Sequence, residues 1–280
     1  MPNKPEPLFI DGHYHYTLSS YEPVEVTLTI PHLTDEEVGY GIAGILAERG
    51  WNEGTLPTDA WVAENIEGPN TYAELKQAAR QELEEINDRY VESTKSGLCA
   101  EELAKRVEQS IPTAVIAQAH DTVRQTFEMQ AMQNGMALPQ LLAASGMSEH
   151  DFEHYVDSEA VALAHEDAAL DAIVDEYAIY VGETELPAIL GMSPKDTKAI
   201  IDETRKRGEY ESMMAFAKRR RALESVIRDA TYTEVHETAE QSARRVAEMR
   251  AQMGTKMPGN EGDGNNENGD ASSHPNLKLV

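Results

Sequence analysis

The chain has 280 residues, with 50 acidic against 24 basic side chains and a formal net charge of −26. That length allows one or two domains with a sizeable core, and so acidic a surface repels phosphate backbones, which speaks against nucleic acid as a partner. The single cysteine, Cys99, excludes an intramolecular disulfide and a thiolate metal cluster, and no apolar run reaches the ~18–20 residues of a membrane span.

The opening "MPNKPEPLFIDGHYHYTL" lacks the charged start and apolar core of a secretory signal, so a cytoplasmic protein without a membrane partner is expected. Residues 24–30, "VEVTLTI", alternate apolar and polar with period two and predict a half-buried strand. The segment before it, "FIDGHYHYTL", is a candidate hairpin partner for that strand. His13 and His15 share a face there, but two ligands are too few for a metal site, and a solvated face is the simpler reading.

The chain is helical in character from there on. "LTDEEV" starts a helix with Thr34 as N-cap, Glu37 completing a capping box, and Leu33 with Val38 placed for a hydrophobic staple. "GWNEG" at 50–54 ends it, and further starts fall at Thr58 and Thr71. Residues 72–109 are polar, with Leu75, Leu83, Ile86, Tyr90, Leu103 and Val107 as a sparse apolar line and Gly97 expected to interrupt it. Cys99 reads there as a small, half-buried thiol. Pro112 restarts the helix in its first turn, and Ile116, Ala119, Val123 and Phe127 keep helical spacing. After the Asn134-Gly135 reversal the next stripe is Phe152, Val156, Leu163, Leu170, Val174 and Tyr177. Gly191 closes a helix, Ser193 caps the next, and a long amphipathic stretch carries Tyr210, Met213, Met214, Ala217, Leu223 and Ile227. From Gly254 the composition turns to Gly, Asn, Asp and Glu, as in a disordered tail.

Three motifs invite chemistry. His150, Glu153 and His154 fit the H-x-x-E-H pattern of inverted zinc proteases. Helix-start chemistry explains the same stretch, with Ser148 as cap, Asp151 at the third position and Met147 with Phe152 as a staple. His150 also sits in a first turn, where the helix dipole disfavours a cation. The metalloprotease reading therefore fails, and no catalytic residue, metal or cofactor is assigned. "KRRR" at 218–221 resembles a nucleic-acid patch, yet Glu209, Glu211 and Glu224 surround it, so a solvated face of i,i+4 ion pairs is expected. Met129, Met132 and Met136 recur beside Leu138, Leu141 and Leu142. They fit either a helical-hairpin core or an adaptable apolar surface.

The stretch "SIPTAVIAQAHDTVRQTFEMQAMQNGMALPQLLAASGMSEHDFEHYV" resembles the C-terminal domain of the trigger factor family of ribosome-associated chaperones. The Ile-Pro entry, long helix, Gly-Met turn, Leu pair and "GMSEHDF" restart occur there in the same order. "YAIYVGETEL", "AFAKRRRALESVI" and "LPTDAWVAENI" with "TYAELKQAARQEL" extend the resemblance to roughly residues 56–230. "YEPVEVTLTIPHLTDEEV" is similar to the connector leading into the family's isomerase domain. Here "WNEGT" passes straight to "LPTDAW", so the resemblance implies that the isomerase domain is missing at that junction. The ribosome-docking Gly-Phe-Arg-x-Gly loop is absent from the sequence, which speaks against ribosome association by that route.

The resemblance implies a mainly all-α fold: an elongated multi-helix body with helical arms and a short N-terminal β hairpin or strand. The implied organisation is an N-terminal segment at 1–20, a strand-helix connector at 21–54, a helical chaperone domain at 55–253 and the acidic tail at 254–280. The implied function is an ATP-independent holdase for unfolded or nascent polypeptides, without prolyl isomerase activity. A helical adaptor for one dedicated partner is the alternative, and homodimerisation stays open. Candidate client-binding residues are Phe127, Met129, Met132, Met136, Leu142, Met147, Phe152, Met213, Met214 and Phe216.

Overall fold

A computed structural model of the chain describes residues 4–51 and 55–255. Among them are ten helices and two two-stranded sheets. They group into two compact units, residues 4–26 with 95–233, and 27–94 with 234–255. Of the expected acidic tail, Gly254 and Thr255 close the last helix, and the rest lies outside the described residues. Among the described residues no helix is long and apolar enough to cross a membrane.

The first unit begins with a hairpin, β1 (Leu8–Ile10) and β2 (His13–His15), pairing Leu8 with His15, Phe9 with Tyr14 and Ile10 with His13. Asp11 and Gly12 between them have φ of 51° and 85°, the left-handed pair that a type I′ turn requires and that Asp-Gly supplies at low cost. This corrects the expected pairing: the segment closes on itself, because its own turn satisfies both strands locally. β3 (Glu25–Ile30) pairs with β4 (Thr231–His236) instead. The Thr231 amide donates to the Val24 carbonyl at 2.8 Å and the Glu237 amide to Ile30 at 3.0 Å. Both strands thus advance together, so the pair is parallel. The expected alternation holds, with Val24, Val26 and Leu28 buried.

Helix α1 (Asp35–Glu48), α2 (Asp59–Asn65) and α10 (Ala239–Thr255) belong to the second unit. The Thr34 amide donates to Glu37 Oε2 at 2.8 Å and the Glu37 amide to Thr34 Oγ1 at 3.2 Å, completing the expected capping box. Leu33 packs on the cluster that contains Val38. A Cβ on Gly41 would lie 3.3 Å from Leu83, so this glycine lets α1 settle closely on the helix that carries Leu83. Arg245 of α10 joins Glu37 to Glu237, the latter at 3.0 Å.

Helix α3 (Tyr72–Ala104) gives residues 72–94 to the second unit and the remainder to the first. It runs unbroken through Gly97, where an interruption was expected. One interior glycine costs a helix only about 1 kcal/mol, and the apolar anchors on either side, Leu75 and Ala79 before it and Cys99 and Leu103 after it, hold the helix across the weak point.

The rest of the first unit is α4 (Thr113–Gln133), α5 (Leu138–Ser145), α6 (Glu149–Glu176), α7 (Leu186–Leu190), α8 (Pro194–Arg207) and α9 (Tyr210–Asp229). Pro112 stands at the cap of α4, just outside the helix. α6 buries Ala160, Ala164 and Ala168 at every fourth position, and Ala119 of α4 packs into the same cluster as the first two. Side chains this small let two helices approach closely. Ile173 is buried at the C-terminal end of α6, whereas Tyr177 is exposed.

Candidate client-binding surface

Helix α4 buries Ala119, Val123, Phe127 and Ala131, one per turn along a single face. Phe127 meets Phe152 of α6 edge-on at 5.3 Å, and both join Val123, Leu142 and Val156 in one closed core with Met147 at its margin. Met129 and Met132 lie off that face and are 56% and 75% exposed. Met136 is half-buried in the turn that follows Gly135.

On α9, Met214 is buried with Val181, Leu186, Ile189 and Ile201, and Met213 packs at the edge of that cluster. The Thr204 hydroxyl lies 3.7 Å from the Met213 sulfur. Phe216 points outward, 51% exposed. The ten candidate residues therefore fall into two groups over two separate cores. Phe127, Leu142, Phe152 and Met214 are core residues that support a surface. Met129, Met132 and Phe216 present one. Helical spacing finds such stripes but not which flank meets another helix.

A cleft of about 420 Å³ opens elsewhere in the first unit, and none of the ten residues lines it. Val24, Leu103 and Ile173 form its apolar lining, and Tyr21 and Tyr177 stand edge-on with ring centres 6.5 Å apart. Arg106 fixes the irregular segment that leads into β3 by donating to the carbonyls of Ser20 at 3.3 Å, Pro23 at 3.2 Å, and Glu22. Tyr21 and Tyr177 are the one sequence signal for this site, and they are too far apart along the chain to be read as a pair.

The basic run at 218–221 is bound differently from expectation. Arg219 reaches across to α6, with Nε and Nη2 on the two oxygens of Asp171 at 2.7 Å each and Nη1 on Asp167 at 2.6 Å. Arg221 pairs with Glu185 at 2.5 Å and, within its own helix, with Glu224 at 3.5 Å. The expected intrahelical pairs thus give way largely to cross-element ones, because α6 and the turn before α7 bring carboxylates to that face. Burial pushes the Asp167 carboxyl up despite the opposing pull of Arg219. Burial, then repulsion from Asp167, Glu159 and Glu101, raises Glu166 to about 7. The Tyr16 hydroxyl is buried without a hydrogen-bond partner among the described residues, and burial pushes it up to about 12.

Ser148 caps α6, accepting from the Asp151 amide at 3.1 Å and donating to Asp151 Oδ2 at 2.5 Å. Glu153, the base in the protease pattern, is held by Arg124 at 2.5 and 3.1 Å. His150 and His154 share an open groove with Asp157 and Ser158. Among the described residues no group of three or more His, Cys, Asp or Glu is placed to hold a metal. Cys99 is fully buried, deeper than expected, with the Tyr232 hydroxyl 3.5 Å from its sulfur, and burial raises its thiol.

The model of the family described as "Bacterial trigger factor protein (TF) C-terminus" matches residues 71–228, more than half of the chain. The trigger factor of Alkaliphilus metalliredigens is 26% identical over 186 residues, which cover 66% of this chain and 39% of that protein. The trigger factor of Syntrophomonas wolfei is 30% identical over 125 residues, 44% of this chain and 28% of that protein. That of Agathobacter rectalis is 26% identical over 126 residues, 45% and 28% respectively. The chain thus matches well under half the length of these relatives. The matched span runs from the start of α3 to the end of α9 and takes in both cores described above, and by it the chain belongs to the trigger factor family, through the family's C-terminal domain.

Proposed function

We propose that this protein is an ATP-independent chaperone, a cytoplasmic holdase that binds unfolded or nascent polypeptide and has no prolyl isomerase activity. The observation that carries this reading is the exposure of Met129 and Met132 on α4 although the core formed by the same helix is closed. Apolar side chains that complete no core and face water are available to a partner. Methionine suits varied partners, because its unbranched, polarizable side chain repacks around many shapes. The net charge of −26 favours solubility of a complex that carries exposed apolar client segments. Membership of the trigger factor family supports a chaperone role, and the match lies in the C-terminal part of that family. The proposed lining is Met129, Met132, Met136, Met147, Met213 and Phe216.

Light scattering from a chemically unfolded client, diluted with and without a stoichiometric amount of the protein, tests the proposal. Suppression of aggregation for several unrelated clients without ATP is the expected result. No suppression of any client, with one stoichiometric partner recovered in a pull-down, would replace the holdase by a dedicated adaptor module.

A further inference from the structure

We infer that the cleft beside Tyr21 and Tyr177 binds a small organic cation, a protonated or quaternary amine carried on a hydrocarbon or aromatic body. None of the proposed client-binding residues lines this cleft, and its ligand is independent of that reading.

Helix ends make the cleft electronegative. Leu103 lies in the last turn of α3, Ile173 in the last turn of α6 with Tyr177 at its cap, and Val226 in the last turn of α9. Three helices therefore bring their C-terminal ends to one cavity, and each such end carries about half a negative charge. A basic side chain in the last turn commonly offsets that charge. α3 and α6 have none there. α9 has Arg228, whose guanidinium is taken up by Asp229 at 2.9 and 3.1 Å. The other arginine of the lining, Arg221, is held by Glu185 at 2.5 Å. Glu22 and Glu224 add carboxylates to the rim, and Glu22 forms no ion pair among the described residues. The net charge of −26 on the whole chain draws cations toward such a site.

The walls select the kind of cation. Val24, Leu103, Ile173 and Ile179 make the interior apolar, and the volume of about 420 Å³ suits a small molecule. The rings of Tyr21 and Tyr177 meet at 87° and form a corner, and Tyr177 is 59% exposed, so it is available to a ligand. A cation over a tyrosine ring, within about 6 Å of its centre, is attracted by the ring quadrupole. An alkylammonium gains from both features, since its methyl groups bury against the apolar floor while its charge faces the rings and the helix ends. A bare metal ion would find too few ligands, because no group of three or more His, Cys, Asp or Glu is placed to hold one among the described residues.

Both lips are fixed in advance. Arg106 holds the wall at 20–23 through three carbonyls. On the opposite lip the Ile179 amide donates to the Val174 carbonyl at 2.9 Å across Ala178, whose φ of 47° is the left-handed conformation that L-residues seldom adopt. That turn sets Tyr177 and Ile179, on either side of it, into the lining. Little ordering remains to oppose binding.

Titration of the isotope-labelled full chain with benzyltrimethylammonium chloride, followed through the amide NMR shifts, tests this. Saturating shifts at the amides around Tyr21, Tyr177 and Val226 are expected, with a Kd on the order of 1 mM for so small a probe. Neutral benzyl alcohol and anionic benzoate should bind at least about tenfold more weakly. Tyr177→Ala and Glu22→Gln remove exposed side chains, so each should raise the Kd roughly three- to tenfold while the thermal midpoint holds. Tyr177→Phe keeps the ring face and should bind as the parent does. The inference is overturned if no saturable shift appears at the cleft below about 20 mM probe, if benzyl alcohol binds as tightly as the ammonium, or if both weakening variants bind as the parent does.

Discussion

Arg219 of α9 meets Asp171 of α6 in a planar two-bond pair, both bonds 2.7 Å, and gives another donor to Asp167 at 2.6 Å. All three side chains keep about a third or less of their surface in water. Arg219→Ala would leave two neighbouring carboxylates half-buried and unpaired. The expected loss is on the order of 2 kcal/mol, below the ~3–5 kcal/mol of a fully buried pair because solvent still reaches this one. Lysine cannot reproduce the planar fork, so Arg219→Lys should recover less than half of the loss. Urea unfolding measures both, and an alanine variant within about 0.5 kcal/mol of the parent would sink the argument.

Glu166 gives the stability a pH dependence of known sign. Burial and neighbouring carboxylates raise its carboxyl from 4.5 to about 7 in the folded chain. The folded state therefore holds the proton more tightly than the unfolded state does. The stability this contributes is fully present below 4.5 and is lost as pH rises through about 7. Glu166→Gln keeps the neutral form at every pH. It should match the parent near pH 4 and exceed it at pH 8 by roughly 1–2 kcal/mol, after discounting for solvent. Unfolding curves at the two pH values give the comparison, and an equal difference at both would refute it.

How much of this was legible depended on the range of the interaction concerned. The caps at Thr34, Ser148 and Ser193 follow from residues three apart, and the structure forms all three. The alternation of Val24, Val26 and Leu28 fixed the buried face of β3, but nothing nearby in sequence pointed to β4. Thr231–His236 is almost wholly exposed and shows no buried alternation, so the expectation that the chain is helical throughout after the first strand passed over it and is corrected by β4. The partners of Arg219 were hidden for the same reason, since they lie about fifty positions earlier on another helix. The client-binding list failed to separate Phe127 from Met129 because both lie on apolar stripes of one helix. Only packing against α6 decides which is core.

That separation gives a test of the proposed surface. Replacing Met129, Met132 and Phe216 together by serine removes exposed apolar area and no core contact. The thermal midpoint should hold while suppression of client aggregation falls several-fold. Phe127→Ala, by contrast, opens the core shared with Phe152 and should cost about 3–5 kcal/mol. Light scattering and denaturant titration of both variants separate the two roles. If the triple variant suppresses aggregation as well as the parent, these side chains are not the lining.

Gly97 was expected to break α3, and the helix passes through it. Its φ is not left-handed, it is exposed, and a Cβ there would meet nothing within 4 Å. None of the usual reasons for a glycine, a turn, a close approach or a positive φ, operates at this position. Alanine would restrict the unfolded chain and cost the folded one nothing, so Gly97→Ala should stabilise by about 0.5–1 kcal/mol. The same variant tests the continuity of the helix, because a break at this site would make the substitution neutral or harmful. Denaturant unfolding with an unchanged slope and a higher midpoint is the expected result, and a lower midpoint would mean that α3 bends here in solution.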